Sequence, residues 1–339
     1  MRTRKTAASF SLQRKLAICM LGAGLALSAV AVRAQTATDA YPSKPVAIII
    51  PVTPGGGVDT EMRPYAQRLS ENLGRPFVLD YKPGAGTTLG AAYVARATPD
   101  GYTLLAATPG LVITPSFYTN LPYDPEKDLA PVTLMTAKPQ VMVVNPNHPI
   151  KTPAEYIAYT RANPGKLNVG TTGVGGSPHL SALWLDSLTG GKVTFVHYKG
   201  TGAMLTDLFA GRIDAVPMTI VLAVNQAKAG KLRIIGNTGA RRLPLLPDLP
   251  SFAEQGAPGY DYISWVGIAA TGGTPAAVIN KLRTELVKVG NAPDISKRLT
   301  DDGAQVVIST PAEFGNLIKA EIVRWRRLVK ENGIKPAEE

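Results

Sequence analysis

The chain has 339 residues, 45% hydrophobic and 18% charged, with a formal net charge of +11 and one cysteine. That length suits about two domains of ~100–200 residues each, and no collagen-like period accompanies the glycine and proline content, which excludes fibrous and disordered classes. An aromatic share of 6% argues against a base-stacking nucleic-acid platform, and three histidines with one cysteine leave few ligands for a transition metal.

Residues 1–34 read as a secretory signal peptide. Arg2, Arg4, Lys5, Arg14 and Lys15 form a basic segment without acids, Leu16–Val32 is apolar, and Val32-Arg33-Ala34 ends on a small residue. A single membrane anchor is the competing reading, because a run of about 17 residues sits at the lower limit of a span. The small residues in its second half and the cut-site pattern favour cleavage after Ala34. Six of the 36 basic residues lie in this segment, leaving 30 against 25 acidic ones, a mild net +5. Cys19 lies there too, so the mature chain is cysteine-free and suited to an oxidising compartment. No later stretch reaches 18 apolar residues.

The run Val46–Val52, bounded by prolines, predicts a buried strand. Thr53–Gly57 follows, then a helical pattern to about Leu73. Strand Phe77–Leu79 leads into Gly84–Thr88 and a helix to Ala97; Asp100-Gly101 turns into strand Tyr102–Ala107. This is the βαβ rhythm of a parallel sheet. Val141–Val144 is a strand, and Thr152-Pro153-Ala154-Glu155 starts a helix with a capping box. Strand Leu167–Gly170 enters Thr171–His179, and helix Leu180–Leu188 leaves it. Further strands are predicted at Val193–Val196, Ala215–Met218, Leu232–Asn237 and Tyr262–Ala269, with helices between the first three. Thr274-Pro275 opens a helix to Val289, and the capping box Thr310–Glu313 opens a long one ending near Gly333. The basic residues Arg324, Arg326, Arg327 and Lys330 on that helix read as a solvated face.

Three glycine-rich loops, Thr53–Gly57, Gly84–Thr88 and Thr171–Ser177, each follow a strand and open a helix. The first N–H groups of a helix lack intrahelical partners, and its dipole makes that end partly positive. Glycine lets an anion approach those donors closely. Two such loops facing each other would suit a ligand with anionic groups at both ends. Nucleotide fingerprints are absent: Gly55-Gly56-Gly57 lacks the G-x-G-x-x-G spacing and no P-loop occurs.

Gly175-Gly176-Ser177-Pro178-His179 superficially resembles a nucleophile elbow, but His replaces the last Gly and Pro follows the Ser. Ser177 reads instead as a helix cap. His179 either donates to a ligand or satisfies a loop carbonyl; His197 sits at a strand end facing a cleft; His148 is a loop residue. No spacing among them suits a metal. Asp59 begins the first helix and fixes its loop through the dipole. No pair of carboxylates reads as acid and base. Residues at strand ends and in the loops, Thr108, Thr172, Thr201, Met218 and Thr219, are the remaining candidates for a ligand site.

Pro51-Val-Thr-Pro-Gly-Gly-Gly-Val-Asp59, Lys82-Pro-Gly-Ala-Gly86, Pro99-Asp-Gly-Tyr-Thr103, Tyr198-Lys-Gly200, Leu246-Pro-Asp-Leu-Pro250 and Gly272-Gly-Thr-Pro275 together resemble the Bug-type receptors of tripartite tricarboxylate transporters (TTT), from about Tyr41 to Pro336. The resemblance implies an α/β, two-lobed periplasmic-binding-protein (Venus flytrap) fold, type II-like, each lobe a mixed sheet flanked by helices. Lobe 1 would be 41–141 with 265–339, and lobe 2 would be 142–264. It implies a periplasmic, monomeric receptor without catalysis, metal or cofactor. Its partners would be a small carboxylate (aliphatic, acidic amino acid or aromatic) and the integral-membrane permease subunits, with no nucleic acid. The family's ligand-holding loops map onto Thr53, Pro54, Gly55, Gly56 and Asp59 on one side and Gly173, Gly175, Ser177 and His179 on the other. The chain departs from the family at Val52-Thr53, at Gly84-Ala-Gly-Thr-Thr88 and at His197, which bear on the ligand more than on the fold. A ligand-sensing accessory of a signalling system and an exported serine hydrolase are the alternatives.

Overall fold

The computed structural model describes residues 41–118, 120–301 and 303–331, so the expected signal peptide and the expected end of the last helix near Gly333 lie outside the described residues. Every helix and strand described lies between Val46 and Glu331.

Two mixed sheets organise this stretch. The first contains β1 (Val46–Ile50), β2 (Phe77–Tyr81), β3 (Thr103–Ala107), β4 (Leu129–Pro139), β10 (Ile263–Thr271) and β11 (Gln305–Val306), in the order β11-β4-β10-β3-β1-β2. The second contains β5 (Val141–Val144), β6 (Asn168–Thr171), β7 (Thr194–His197), β8 (Ala215–Met218) and β9 (Arg233–Asn237), in the order β7-β6-β8-β5-β9. In the first sheet β1 pairs in parallel with β2 and β3, while β10 runs antiparallel to β3 and β4. In the second β6 is parallel to β7 and β8, and β5 is antiparallel to β8 and β9. The chain crosses between sheets twice, at Pro139–Val141 and between Asn237 and Ile263.

Parallel strands covered on both faces need continuous apolar runs. Val46, Ile48, Ile49 and Ile50 of the parallel strand β1 are accordingly buried; β5, antiparallel to both neighbours but central in its sheet, is buried throughout as well. The helices of the first half are α1 (Gly57–Leu73), α2 (Thr88–Ala95), α3 (Gly110–Phe117), α4 (Pro153–Ala162) and α5 (Ser177–Thr189). Those of the second half are α6 (Thr201–Phe209), α7 (Ile220–Lys228), α8 (Ala276–Gly290), α9 (Pro293–Asp301) and α10 (Pro311–Glu331). Helix α10 buries Phe314, Ile318, Ile322, Trp325 and Val329, a stripe at the 3–4-residue spacing of one helical face. Arg324, Arg326, Arg327 and Lys330 are exposed on the other. Both predicted capping boxes form: Thr152 Oγ1 accepts the Glu155 N–H, and Thr310 Oγ1 accepts that of Glu313. Thr274 does not cap α8; its hydroxyl turns back to the Thr271 carbonyl, and Pro275 takes the cap position.

The pattern reading leaves out β4, the longest strand, because Pro131 and Pro139 interrupt its sequence. Pro131 is accommodated where the register with β10 slips between Ile268 and Ala269, a place that needs no ladder donor. It also leaves out α3, which carries Pro115 and a β-branched run. Gly110–Thr114, Ser116 and Phe117 are all buried there, so no polar face marks the helical period. No helix among the described residues is long and apolar enough to cross a membrane.

Candidate functional site

All three glycine-rich loops open onto one cavity of about 880 Å³, large enough for a ligand well beyond a few carbons. From the first sheet come the loop between β1 and α1, the loop between β2 and α2, and Thr108 with Pro109 and Gly110 at the end of β3. From the second come the loop between β6 and α5, the turn His197–Thr201 after β7, and Pro217–Thr219 at the end of β8. These are C-terminal strand ends, where α/β sheets present ligand sites.

The loops before α1 and α5 are built alike. In each, a glycine in the left-handed region (Gly55, φ +82°; Gly175, φ +76°) is followed by an extended glycine, Gly56 or Gly176, at the N-cap. In each, a first-turn side chain accepts the N–H of the residue four positions earlier. Asp59 Oδ2 takes the Gly55 N–H at 2.8 Å, and His179 Nδ1 takes the Gly175 N–H at 3.2 Å. No side chain caps Gly56 or Gly176, so both helix N-termini offer backbone donors toward the cavity.

The two anchors differ in charge. Burial works against an ionised Asp59, but hydrogen bonds from Tyr81, the Gly55 amide and Arg63 outweigh it and hold the carboxyl below its ordinary range. His179 packs edge-on to Phe195 at 4.6 Å and close to Phe117 and His197; burial first, and His197 second, pull its pKa down to about 3. With Nδ1 accepting, the neutral ring carries its proton on Nε2. His197 is also shifted down by burial, and its Nδ1 lies 2.6 Å from Thr171 Oγ1.

The sheets approach closely around the cavity, and glycine makes this possible. A Cβ at Gly57 would stand 3.1 Å from Thr219 Cγ2, and one at Gly200 would stand 2.9 Å from Thr53 Oγ1. A Cβ at Gly86, whose φ is +60°, would overlap the Val174 carbonyl oxygen. Each contact joins an element of one sheet to an element of the other.

Ten of the fourteen expected ligand residues line the cavity: Thr53, Gly55, Gly56, Thr108, Thr172, Gly173, Ser177, His197, Thr201 and Thr219. Pro54, Asp59, Gly175 and His179 are not part of its wall; Asp59 and His179 instead fix the loops from behind. Ser177 is not the cap of α5. Gly176 takes that position, and Ser177 Oγ hydrogen-bonds Tyr262 Oη at 2.8 Å. The Ser177–His179 pair that a hydrolase would need is therefore not formed, since each side chain is committed elsewhere. Among the described residues no cluster of three or more His, Cys, Asp or Glu is placed to hold a metal.

The back wall of the cavity, at the crossings between the sheets, escapes the sequence reading. Lys138 of β4 and Glu61 of α1 form a buried ion pair there, and Glu61 also accepts the Thr136 hydroxyl. Gln140, Ser264 and Trp265 complete the wall. A lysine as the single charge in the stretch Leu129–Val144 was the available signal, because a charge in a buried strand needs a partner.

Residues 62–334 match the family described as "Tripartite tricarboxylate transporter family receptor". The "UPF0065 protein in tcbD-tcbE intergenic region" of Pseudomonas sp. (strain P51) is 34% identical over 313 residues, covering 92% of this chain and 93% of its own. Among solved structures, R. palustris Rpa4515 with adipate superposes with a TM-score of 0.82 at 34% identity, over 88% of this chain and all of its own (100%). MatC (Rpa3494) from Rhodopseudomonas palustris with bound malate gives 0.80 at 33% identity, over 85% of this chain and 100% of its own. Two mixed sheets flanked by helices are thus a fold shared with solute-binding proteins and not with an enzyme class, and the chain belongs to the tripartite tricarboxylate transporter receptor family.

Proposed function

We propose that this chain is a periplasmic receptor that captures a small organic carboxylate by closure of two lobes and delivers it to the membrane permease of a tripartite tricarboxylate transporter. The observation that carries the reading is the pair of uncapped helix N-termini, Gly56 of α1 and Gly176 of α5, that face one cavity from different sheets. Donors fixed in place before the ligand arrives suit a carboxylate, which accepts several N–H bonds at once. The two relatives solved with adipate and malate support the same ligand class. In this reading residues 41–141 with 265–339 form one lobe and 142–264 the other. Thr53, Gly55, Thr108, Thr172, Gly173, Ser177, His197, Thr201 and Thr219 touch the ligand, which holds the lobes together as a population shift toward the closed state. Residues 1–34 direct export and are removed, and the receptor acts as a monomer.

Native mass spectrometry of the purified protein, followed by thermal shift with mono-, di- and tricarboxylates and acidic amino acids, tests this. A true ligand at 100 times its Kd stabilises by about 2.7 kcal/mol. Absence of both a co-purified carboxylate and any shift across the panel refutes the reading.

A further inference from the structure

The two ends of the cavity differ in charge. At α1 the first turn already holds Asp59, whose ionised carboxylate is buried at that helix's positive end and is only partly offset by the solvent-exposed Arg63 3.0 Å away. At α5 the first turn contains no acid, and its anchor, His179, is neutral. Lys199, exposed on the same side of the cavity, adds a positive charge there. The α5 end is therefore the stronger seat for an anion.

The opposite wall, beside α1, is polar but electrically balanced. Lys138 Nζ lies 3.7 Å from where a Cβ on Gly57 would stand, and its charge is matched by Glu61, which is 1% exposed. A carboxylate brought here would be attracted by Lys138, repelled by Glu61 and stripped of water for no net charge. Gln140 lies two residues beyond Lys138, on the same face of an extended segment. It is 4% exposed, lines the cavity, and its Oε1 has no hydrogen-bond partner. A buried acceptor left unpaired is costly, and an N–H or O–H donor on a ligand, which an ionised carboxylate lacks, satisfies it.

We infer that the ligand binds in one orientation, with a single carboxylate at the N-terminus of α5 and a neutral hydrogen-bonding group, an amide or a hydroxyl, against Lys138, Glu61 and Gln140. The receptor thus takes ω-amide or ω-hydroxy monocarboxylates in preference to the dicarboxylates of the same length. This deepens the carboxylate-receptor reading and rests on it.

The test is isothermal titration of the purified receptor with unbranched dicarboxylates of four to eight carbons, adipate included, and with their monoamides. At the best-fitting length the monoamide binds at least about tenfold more tightly than the dicarboxylate, the worth of one hydrogen bond to a buried group. Glu61→Gln leaves Lys138 uncompensated and moves that ratio at least about tenfold toward the dicarboxylate. Gln140→Leu, which leaves the ion pair untouched, weakens the monoamide and spares the dicarboxylate. Circular dichroism melts confirm that each variant is folded, and the wild-type ratio and Gln140→Leu stand even if Glu61→Gln does not fold. A dicarboxylate preferred by the wild type, or a ratio unmoved by the folded variants, overturns this inference while the receptor reading stands. If neither series binds at any length, this inference falls, and the receptor reading falls with it only if the wider carboxylate panel also shows no shift.

Discussion

His179 ties the stability of the α5 loop to pH. In the folded chain its pKa is about 3, because burial and the neighbouring His197 oppose its charge, whereas the unfolded chain has the ordinary value of 6.5. The unfolded state therefore binds the extra proton first as pH falls. The stabilisation is fully present above 6.5 and is lost progressively as pH drops toward 3. Lowering the pH from 8 to 4.5 costs about 2–3 kcal/mol from this group alone, or about 5 °C in Tm for a chain of this size. His179→Gln can retain an acceptor for the Gly175 N–H but cannot titrate. Differential scanning calorimetry of both proteins across that range checks the claim. His148, His197 and Asp186 occur in both proteins, so the difference between the two slopes reports His179 together with its coupling to His197. The reasoning fails if the two Tm curves run parallel.

Gly86→Ala places a methyl against the Val174 carbonyl across the cleft, so it weakens binding of the native ligand by at least about tenfold in titration calorimetry, besides costing about 1–2 kcal/mol for its left-handed backbone. Gly74→Ala, at φ +65° with open space around it, is the control: it shows the backbone cost in a melt and leaves affinity unchanged. Asp186, raised to about 7 by burial against a weaker opposing bond from the Val193 N–H, binds its proton more readily when folded, so its stabilisation is present in acid and lost as pH rises from 4 to 7. Asp186→Asn removes that loss, and calorimetry should find the variant more stable than the wild type by about 4 kcal/mol at pH 8 and similar to it at pH 4.

The strand–glycine–helix pattern made the three loops and their common cavity legible, because a left-handed glycine and an exposed helix start are local properties. It could not say which residues stand in the wall and which behind it. Asp59 and His179 sit at the same place in equivalent loops, but their roles depend on a hydrogen bond four residues back and on packing that no spacing encodes. Ser177 has the chemistry of a cap; Gly176 displaced it, and the hydroxyl went to Tyr262, 85 residues away in sequence. The Lys138–Glu61 pair spans 77 residues and depends on β4, which its prolines disguise. Long-range pairing, not local preference, decides such residues.

The crossings between the sheets connect this wall to closure. Thr238 holds the two crossing segments together: its N–H donates to the Gln140 carbonyl and its hydroxyl to the Tyr262 carbonyl at 2.8 Å, the Gln140 N–H donates to its hydroxyl at 2.8 Å, and its carbonyl accepts the Tyr262 N–H at 2.8 Å. In the closure proposed above, the backbone that must bend is thus the segment fixed at residues that border the wall. A ligand shifts a conformational equilibrium only by its difference in affinity for the two states. Contacts to one sheet alone contribute nothing to that difference. Those spanning the α5 end and the Gln140 wall do, because the distance between them changes as the crossings bend. Affinity and closure should therefore fall together in Gln140→Leu, whereas a change at Lys199, on the second sheet alone, should lower the rate of anion capture and leave the closed state intact. Stopped-flow binding and small-angle scattering separate the two outcomes, and loss of closure in Lys199→Gln with normal closure in Gln140→Leu would refute the coupling.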